Sequence, residues 1–184
     1  MTKLKKLTYT SALACALAAV GCGTEQPRNS AGATQPTPTP NAAQTQPQST
    51  RITSPLPDGA FRAALTPSDP PAQMRAGEKQ VVAVHVRNAS QVAWPADGAP
   101  DGKFAVTLRD RWLSADGGKV VNDLDGGASL PHDVAPGGEV DMQLRVTAPK
   151  QKGDYVLEFD MVQEQVSFFR EKGSTPARVN VRVE

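Results

Sequence analysis

Val140-Asp141-Met142-Gln143-Leu144-Arg145-Val146-Thr147 alternates apolar and polar side chains at every step. A period of two is the signature of a half-buried β-strand, because successive side chains of an extended chain leave on opposite faces. The same alternation recurs along the chain. Tyr155, Leu157, Phe159 and Met161 are separated by Val156, Glu158 and Asp160, and Val179, Val181 and Val183 by Asn180 and Arg182. Upstream, Val82, Val84 and Val86 flank Ala83 and His85, while Phe104, Val106 and Leu108 flank Ala105 and Thr107. Five Asp-Gly pairs, beginning at Asp58, Asp97, Asp101, Asp116 and Asp125, punctuate these runs, with Ala-Pro-Gly-Gly at 135–138. Such residues favour tight turns. No segment of ten or more residues carries a helical stripe. These short strands predict an all-β, immunoglobulin-like two-sheet antiparallel sandwich over residues 58–184.

The N-terminus follows a different rule. Lys3, Lys5 and Lys6 precede an uncharged stretch from Leu7 to Gly21, the layout of an export signal that is short for a membrane span. Cys15 is a rival modification site but leaves a very short apolar core before it. Ala19-Val20-Gly21-Cys22 resembles the lipobox of bacterial lipoproteins, with Ala19 where leucine is usual. That resemblance implies cleavage after Gly21, a signal over 1–21, and acyl chains on Cys22 that hold the protein to a membrane on the periplasmic or cell-surface side. Loss of Lys3, Lys5 and Lys6 with the signal would turn the net charge of +1 into −2.

Residues 22–57 hold seven prolines and Thr/Gln-rich text such as Thr-Gln-Pro-Thr-Pro-Thr-Pro-Asn, with charges only at Glu25, Arg28 and Arg51. A segment this poor in apolar side chains cannot offset chain entropy by burial and is expected to be a disordered tether. The chain as a whole carries 20 Lys and Arg against 19 Asp and Glu, which argues against a nucleic-acid partner.

The folded part carries a further resemblance. Val-Arg-Asn-Ala-Ser-Gln-Val-Ala-Trp-Pro at 86–95, Val-Thr-Leu-Arg-Asp-Arg-Trp-Leu-Ser-Ala-Asp-Gly-Gly-Lys-Val-Val at 106–121 and Leu-Pro-His-Asp-Val-Ala-Pro-Gly at 130–137 are the first three motifs. Val-Thr-Ala-Pro at 146–149, Gly-Asp-Tyr-Val-Leu-Glu-Phe-Asp-Met-Val-Gln-Glu at 153–164 and Phe168-Phe169 complete the series. In this order they resemble a bacterial Ig-like β-sandwich domain found fused to glycosyltransferases or methyltransferases, or alone in exported proteins. The series is also similar to the tryptophan-rich central Ig-like domain of selective-autophagy receptors. Ala128-Ser129 and Phe168-Phe169 stand where the bacterial domain commonly has Arg-Thr and Trp-Phe. The resemblance implies a fold and an accessory role rather than a reaction.

Candidate chemistry is sparse. Ser129, His132 and Asp133 crowd into one loop, a poor geometry for a catalytic triad and a natural one for a turn whose Asp accepts backbone donors. His85 shares a strand face with Ala83 and Arg87 and reads as a solvated histidine. Asp116, Asp123 and Asp125 fall short of a calcium loop. Of Glu158, Asp160 and Glu164, which could be offered as a carboxylate pair for glycoside hydrolysis, Glu158 and Asp160 read as the outward polar face of one strand. Two cysteines and two histidines leave few zinc ligands, and no nucleotide loop or cofactor motif occurs. Aromatic residues remain. Trp112 reads as core, whereas Trp94, before Pro95, suits either core or a surface platform. Phe168 and Phe169 point to opposite faces of a strand, so one leaves the core beside Arg170. Trp94, Phe168, Phe169 and Arg170 are therefore the expected ligand contacts. The whole predicts a monomeric, non-catalytic, lipid-anchored envelope protein without cofactor or metal, whose Ig-like domain binds a protein or glycan. An accessory subunit of an envelope saccharide-processing or transport system is the second expectation.

Overall fold

The computed structural model describes residues 53–184; the expected signal, Cys22 and most of the tether lie outside these. Within them the alternation resolves into nine strands: β1 (Ala63–Ser68), β2 (Gln73–Met74), β3 (Lys79–Asn88), β4 (Val106–Ser114), β5 (Val120–Ser129), β6 (Glu139–Thr147), β7 (Gly153–Gln163), β8 (Ser167–Phe168) and β9 (Ala177–Val183). Two 3-10 turns, Asp58–Ala60 and Phe169–Lys172, complete the list, and no α-helix occurs among the described residues. One sheet runs β1-β3-β6, the other β2-β9-β7-β4-β5 with β8 appended to β7. Every pairing is antiparallel except the two-residue contact of β2 with β9. This is an Ig-like β-sandwich.

Register turns the sequence pattern into a core. In the smaller sheet Val82 lies opposite Leu144, Val84 opposite Met142 and Val86 opposite Val140, so their apolar side chains share the inner face. In the larger sheet Leu108 faces Met161 and Trp112 faces Leu157 across β4 and β7. Trp112 is fully buried and meets the Tyr155 ring edge-on, with centroids 6.2 Å apart. At one end of the sandwich Phe169 receives Phe61 and Trp94 in T-shaped contacts at 5.0 and 5.1 Å. Such pairs contribute about 0.5–1.5 kcal/mol beyond the area they bury. Trp94 Nε1 donates to the Ala60 carbonyl at 2.9 Å, so its one polar atom is satisfied.

Loop geometry is set by Asn88, buried at the end of β3. Its amide donates to the carbonyls of Val92 and Val134, and its oxygen accepts from the Ser90 N–H and hydroxyl. These bonds hold the 89–105 connection against the 130–138 loop, where Trp94 and Val134 form an isolated bridge.

Three expectations need correction. Asp125-Gly126 is not a turn but lies inside β5. The strand expected from Phe104 begins at Val106, because Phe104 itself adopts a left-handed φ of 74°. The packed chain also starts before Asp58. Leu56 is 6% exposed, and its N–H donates to Gln163 Oε1 at 2.9 Å, so the last residues assigned to the tether dock on the sandwich.

The position of Gly126 has a physical cause. Between Arg109↔Gly127 and Arg111↔Asp123 the register shifts, so residues 124–126 of β5 stand opposite Asp110 alone. The inward Asp110 carboxylate fills this bulge by accepting the Gly126 N–H at 2.9 Å. There the edge strand meets the other sheet: a Cβ on Gly126 would lie 2.1 Å from the Arg145 carbonyl oxygen and 2.8 Å from Asp110 Oδ1. Only a glycine lets the two edges close the flank of the sandwich. Gly126→Ala is therefore expected to lower stability by about 1–3 kcal/mol in urea unfolding. A midpoint equal to that of the unaltered chain would show that the flank does not close here.

Candidate functional site

Strand parity places polar residues of β4, β7 and β9 on the outer face of the larger sheet, and register brings opposite charges together. Arg111 stands directly across from Glu158, which stands across from Arg178. Glu158 is 0% exposed, its Oε1 bound by Arg111 Nε and its Oε2 by Arg178 Nε at 2.8 Å. Arg109 lies opposite Asp160 in register but reaches along the sheet to Glu164 instead, with Nε at 3.0 Å and Nη2 at 2.7 Å. The Thr107 hydroxyl donates to the same Glu164 Oε1. Asp160 is bonded by Arg170, through its backbone N–H at 3.2 Å and Nη1 at 3.1 Å, both on Oδ2. Each acid thus sits beneath a guanidinium. A buried carboxylate without its partner would be strongly destabilising, so these pairs hold the arginines in set orientations.

Arg170 also lies over the Phe168 ring, 3.7 Å from its centroid, a cation–π stack. Glu171 Oε2 accepts the Ser167 hydroxyl at 2.8 Å and the Phe168 N–H at 3.1 Å, which anchors the turn that presents the ring. Two shallow depressions lie beside this cluster. One, of about 330 Å³, is bordered by Phe168, Val162, Ser167 and Glu171; the other, of about 320 Å³, by Asp101, Thr107 and Ser129. Arg109, Glu164 and Gln165 line both.

No family model matches the sequence, and no curated protein matches it. Among solved structures, the CARDB domain of a Pyrococcus furiosus protein is similar at 14% identity and a TM-score of 0.39, over 66% of this chain and 93% of that one. A β-glucosidase from Listeria innocua is similar at 15% identity and a TM-score of 0.43; the match covers 66% of this chain but only 16% of the enzyme. A sporulation control protein from Bacillus subtilis is similar at 12% identity and a TM-score of 0.40, over 67% of this chain and 49% of that one. Nothing about a site or ligand follows from overlaps of this size.

The expected ligand contacts separate into two pairs. Trp94 and Phe169 are 0% exposed, each locked in the aromatic cluster at the end of the core, and as packed they offer no atom to a ligand. Phe168 is half-buried, borders the first depression, and has Arg170 against its ring. Asp133 accepts the Ala96 N–H at 2.8 Å, and His132 Nδ1 faces the Asp133 carbonyl oxygen. His85 projects from the outer face of the smaller sheet, where a hydrogen bond to Asp141 at 2.8 Å raises its pKa. Asp116 accepts from Ser114 and Gly118 in the β4–β5 hairpin. Among the described residues no three His, Cys, Asp or Glu side chains are grouped to hold a metal ion.

Glu158 and Asp160 do face outward, but they are buried rather than solvated, because the arginines of β4, β9 and the Phe169–Lys172 turn lie across them. Sequence reading missed Arg109, Arg111 and Arg178. The available signal was opposite charge at outward positions of separate strands, which becomes a pairing only when register is known.

Burial pushes the carboxyl pKa values of Asp110 and Asp160 up to about 6, against partial relief from the Gly126 and Arg170 hydrogen bonds respectively. Both groups therefore bind a proton more tightly folded than unfolded, where Asp titrates near 3.8. Stability from these groups rises as pH falls from about 6 toward about 4 and is lost as pH rises through that window. The urea midpoint is expected to be higher at about pH 5 than at about pH 7.5, each pKa unit being worth about 1.4 kcal/mol. The Asp110→Asn, Asp160→Asn double variant should flatten that rise. A midpoint that falls steadily on acidification in the unaltered chain would contradict it.

Proposed function

We propose that this chain is a non-catalytic, lipid-anchored envelope protein whose Ig-like domain binds a protein or glycan partner through the Phe168–Arg109 face. The lipobox-like Ala19-Val20-Gly21-Cys22 and the Pro/Thr/Gln-rich stretch after it support an anchored, spaced module. The observation that carries the binding role is the outer face of the larger sheet. Glu158, Asp160 and Glu164 hold Arg111, Arg178, Arg170 and Arg109 in place beside a half-buried phenylalanine. Side chains already ordered in the free protein lose little rotamer freedom on binding, which is how a preorganised surface gains affinity. Arginine and aromatic residues are also the types that dominate binding surfaces.

Two measurements test this reading. Fatty-acid labelling of cells expressing the full chain should mark the protein and vanish in Cys22→Ala; label retained in that variant would remove the anchor. The Cys22→Ala chain should still be retained by isolated envelopes, and Phe168→Ala should weaken that retention about tenfold, the size expected for loss of a central aromatic contact. Thr66→Ala, on the outer face of the opposite sheet, should leave it unchanged. Equal retention of all three would take the site away from Phe168.

A further inference from the structure

The two depressions on this face differ in lining but not in size, and they share one wall. Arg109, Glu164 and Gln165 border both, so a ligand that crosses this wall enters each in turn. Volumes of about 330 and 320 Å³ stand at the low end of ligand pockets, which run from roughly 300 to 1,000 Å³. Each has room for one small ring rather than for a large cofactor.

Charge narrows the class of ligand. Glu164 and Glu171 border the first depression and Asp101 and Glu164 the second, while Arg109 is the only cation lining either among the described residues. Its guanidinium is already engaged by Glu164 through two hydrogen bonds. A phosphate or carboxylate would meet these acids with no free cation to offset them, whereas hydroxyl groups would meet acceptors. All three side-chain donors to Glu164 converge on Oε1, so the acceptor capacity of Oε2 is not used by them. The Phe168 ring, which carries Arg170 over one face, adds apolar surface to the lining of the first depression.

Gln165 is the most telling residue. It forms the tip of the β7–β8 hairpin, in a turn closed by the Val166 N–H on the Gln163 carbonyl at 3.0 Å. Its φ is 59°, left-handed backbone that glycine adopts without strain and that few side chains enter. Backbone held in such a region is associated with functional sites. Here it sets an exposed carboxamide, donor and acceptor together, on the wall common to both depressions.

We infer that this face recognises two consecutive residues of an uncharged linear saccharide, one in each depression, with the Arg109–Glu164 pair and Gln165 between them. The inference rests on the binding role proposed above and names its ligand class. The test is calorimetric titration of the full chain in detergent with cellotetraose, maltotetraose and fully N-acetylated chitotetraose. At least one tetrasaccharide should bind, and its constituent monosaccharide should bind at least about tenfold more weakly, since it fills a single depression. Gln165→Gly should lose about tenfold in affinity while its melting temperature stays equal or rises, because glycine relieves the left-handed backbone. That separation of binding from folding is one that a purely structural role for Gln165 would not produce. Binding by none of the three, or binding indifferent to both Gln165→Gly and Phe168→Ala, overturns the inference. If no saccharide binds yet Phe168→Ala still weakens retention by envelopes, the face is a protein-binding one and the saccharide assignment alone fails. If that retention is also unaffected, the binding role fails with it.

Discussion

The antiparallel register of β4 on β7 sets Leu108 against Met161 and Trp112 against Leu157 on one face, and Arg111 against Glu158 on the other. Because side chains alternate strictly, a slip of one residue would turn the tryptophan to solvent and drive the arginine into the core. Packing of Trp112 against Tyr155 therefore also holds the outer ion pairs in place. The pairing of Glu158 with Arg178 extends the same logic to β9. Core and charged face are two readings of a single register, and a defect in either would be felt in both.

The flank of the sandwich depends on a second constraint. β5 is the edge of the larger sheet, and a long unpaired edge invites pairing with other chains. The bulge at 124–126 bends this edge, and the absence of a side chain at Gly126 lets it meet the Arg145 carbonyl of β6. Asp110 supplies the acceptor that the displaced ladder no longer offers to Gly126. Its second oxygen has no protein partner, as is true of Asp160 Oδ1 on the outer face. Both groups illustrate how a buried carboxylate with incomplete pairing moves toward its protonated form.

On the outer face the same chemistry acts differently. Glu158 has both oxygens occupied by guanidinium groups, so its buried charge is fully paired and the orientation of the two arginines is what the pairs contribute. In the proposed reading that order is useful to a ligand, since arginines and a phenylalanine fixed before binding need not be fixed during it. The depressions owe their common wall to Arg109 on β4 and to Glu164 and Gln165 in the tight turn between β7 and β8.

Much of the architecture could be read directly. Alternation in 82–86, 140–146 and 155–161 corresponds to β3, β6 and β7, because a period of two has one structural meaning when one face is buried. The Asp-Gly pairs were less reliable guides: Asp116-Gly117 is a hairpin turn, with Gly117 at a φ of 71°, but Asp125-Gly126 is a bulge within a strand. Composition cannot separate these, since glycine serves both positive φ and close approach. Nor could local pattern place the aromatics. Trp94 and Phe169 are core because the end of the sandwich closes over Phe61, a contact between segments far apart in the chain. What the amino-acid sequence determined alone was strand parity, and with it the all-β class and the face on which each strand residue lies. Which outward acid lies under which arginine, and which aromatic remains at the surface, was decided only by tertiary structure, because pairing across strands depends on register, and register is a property of the assembled sheet.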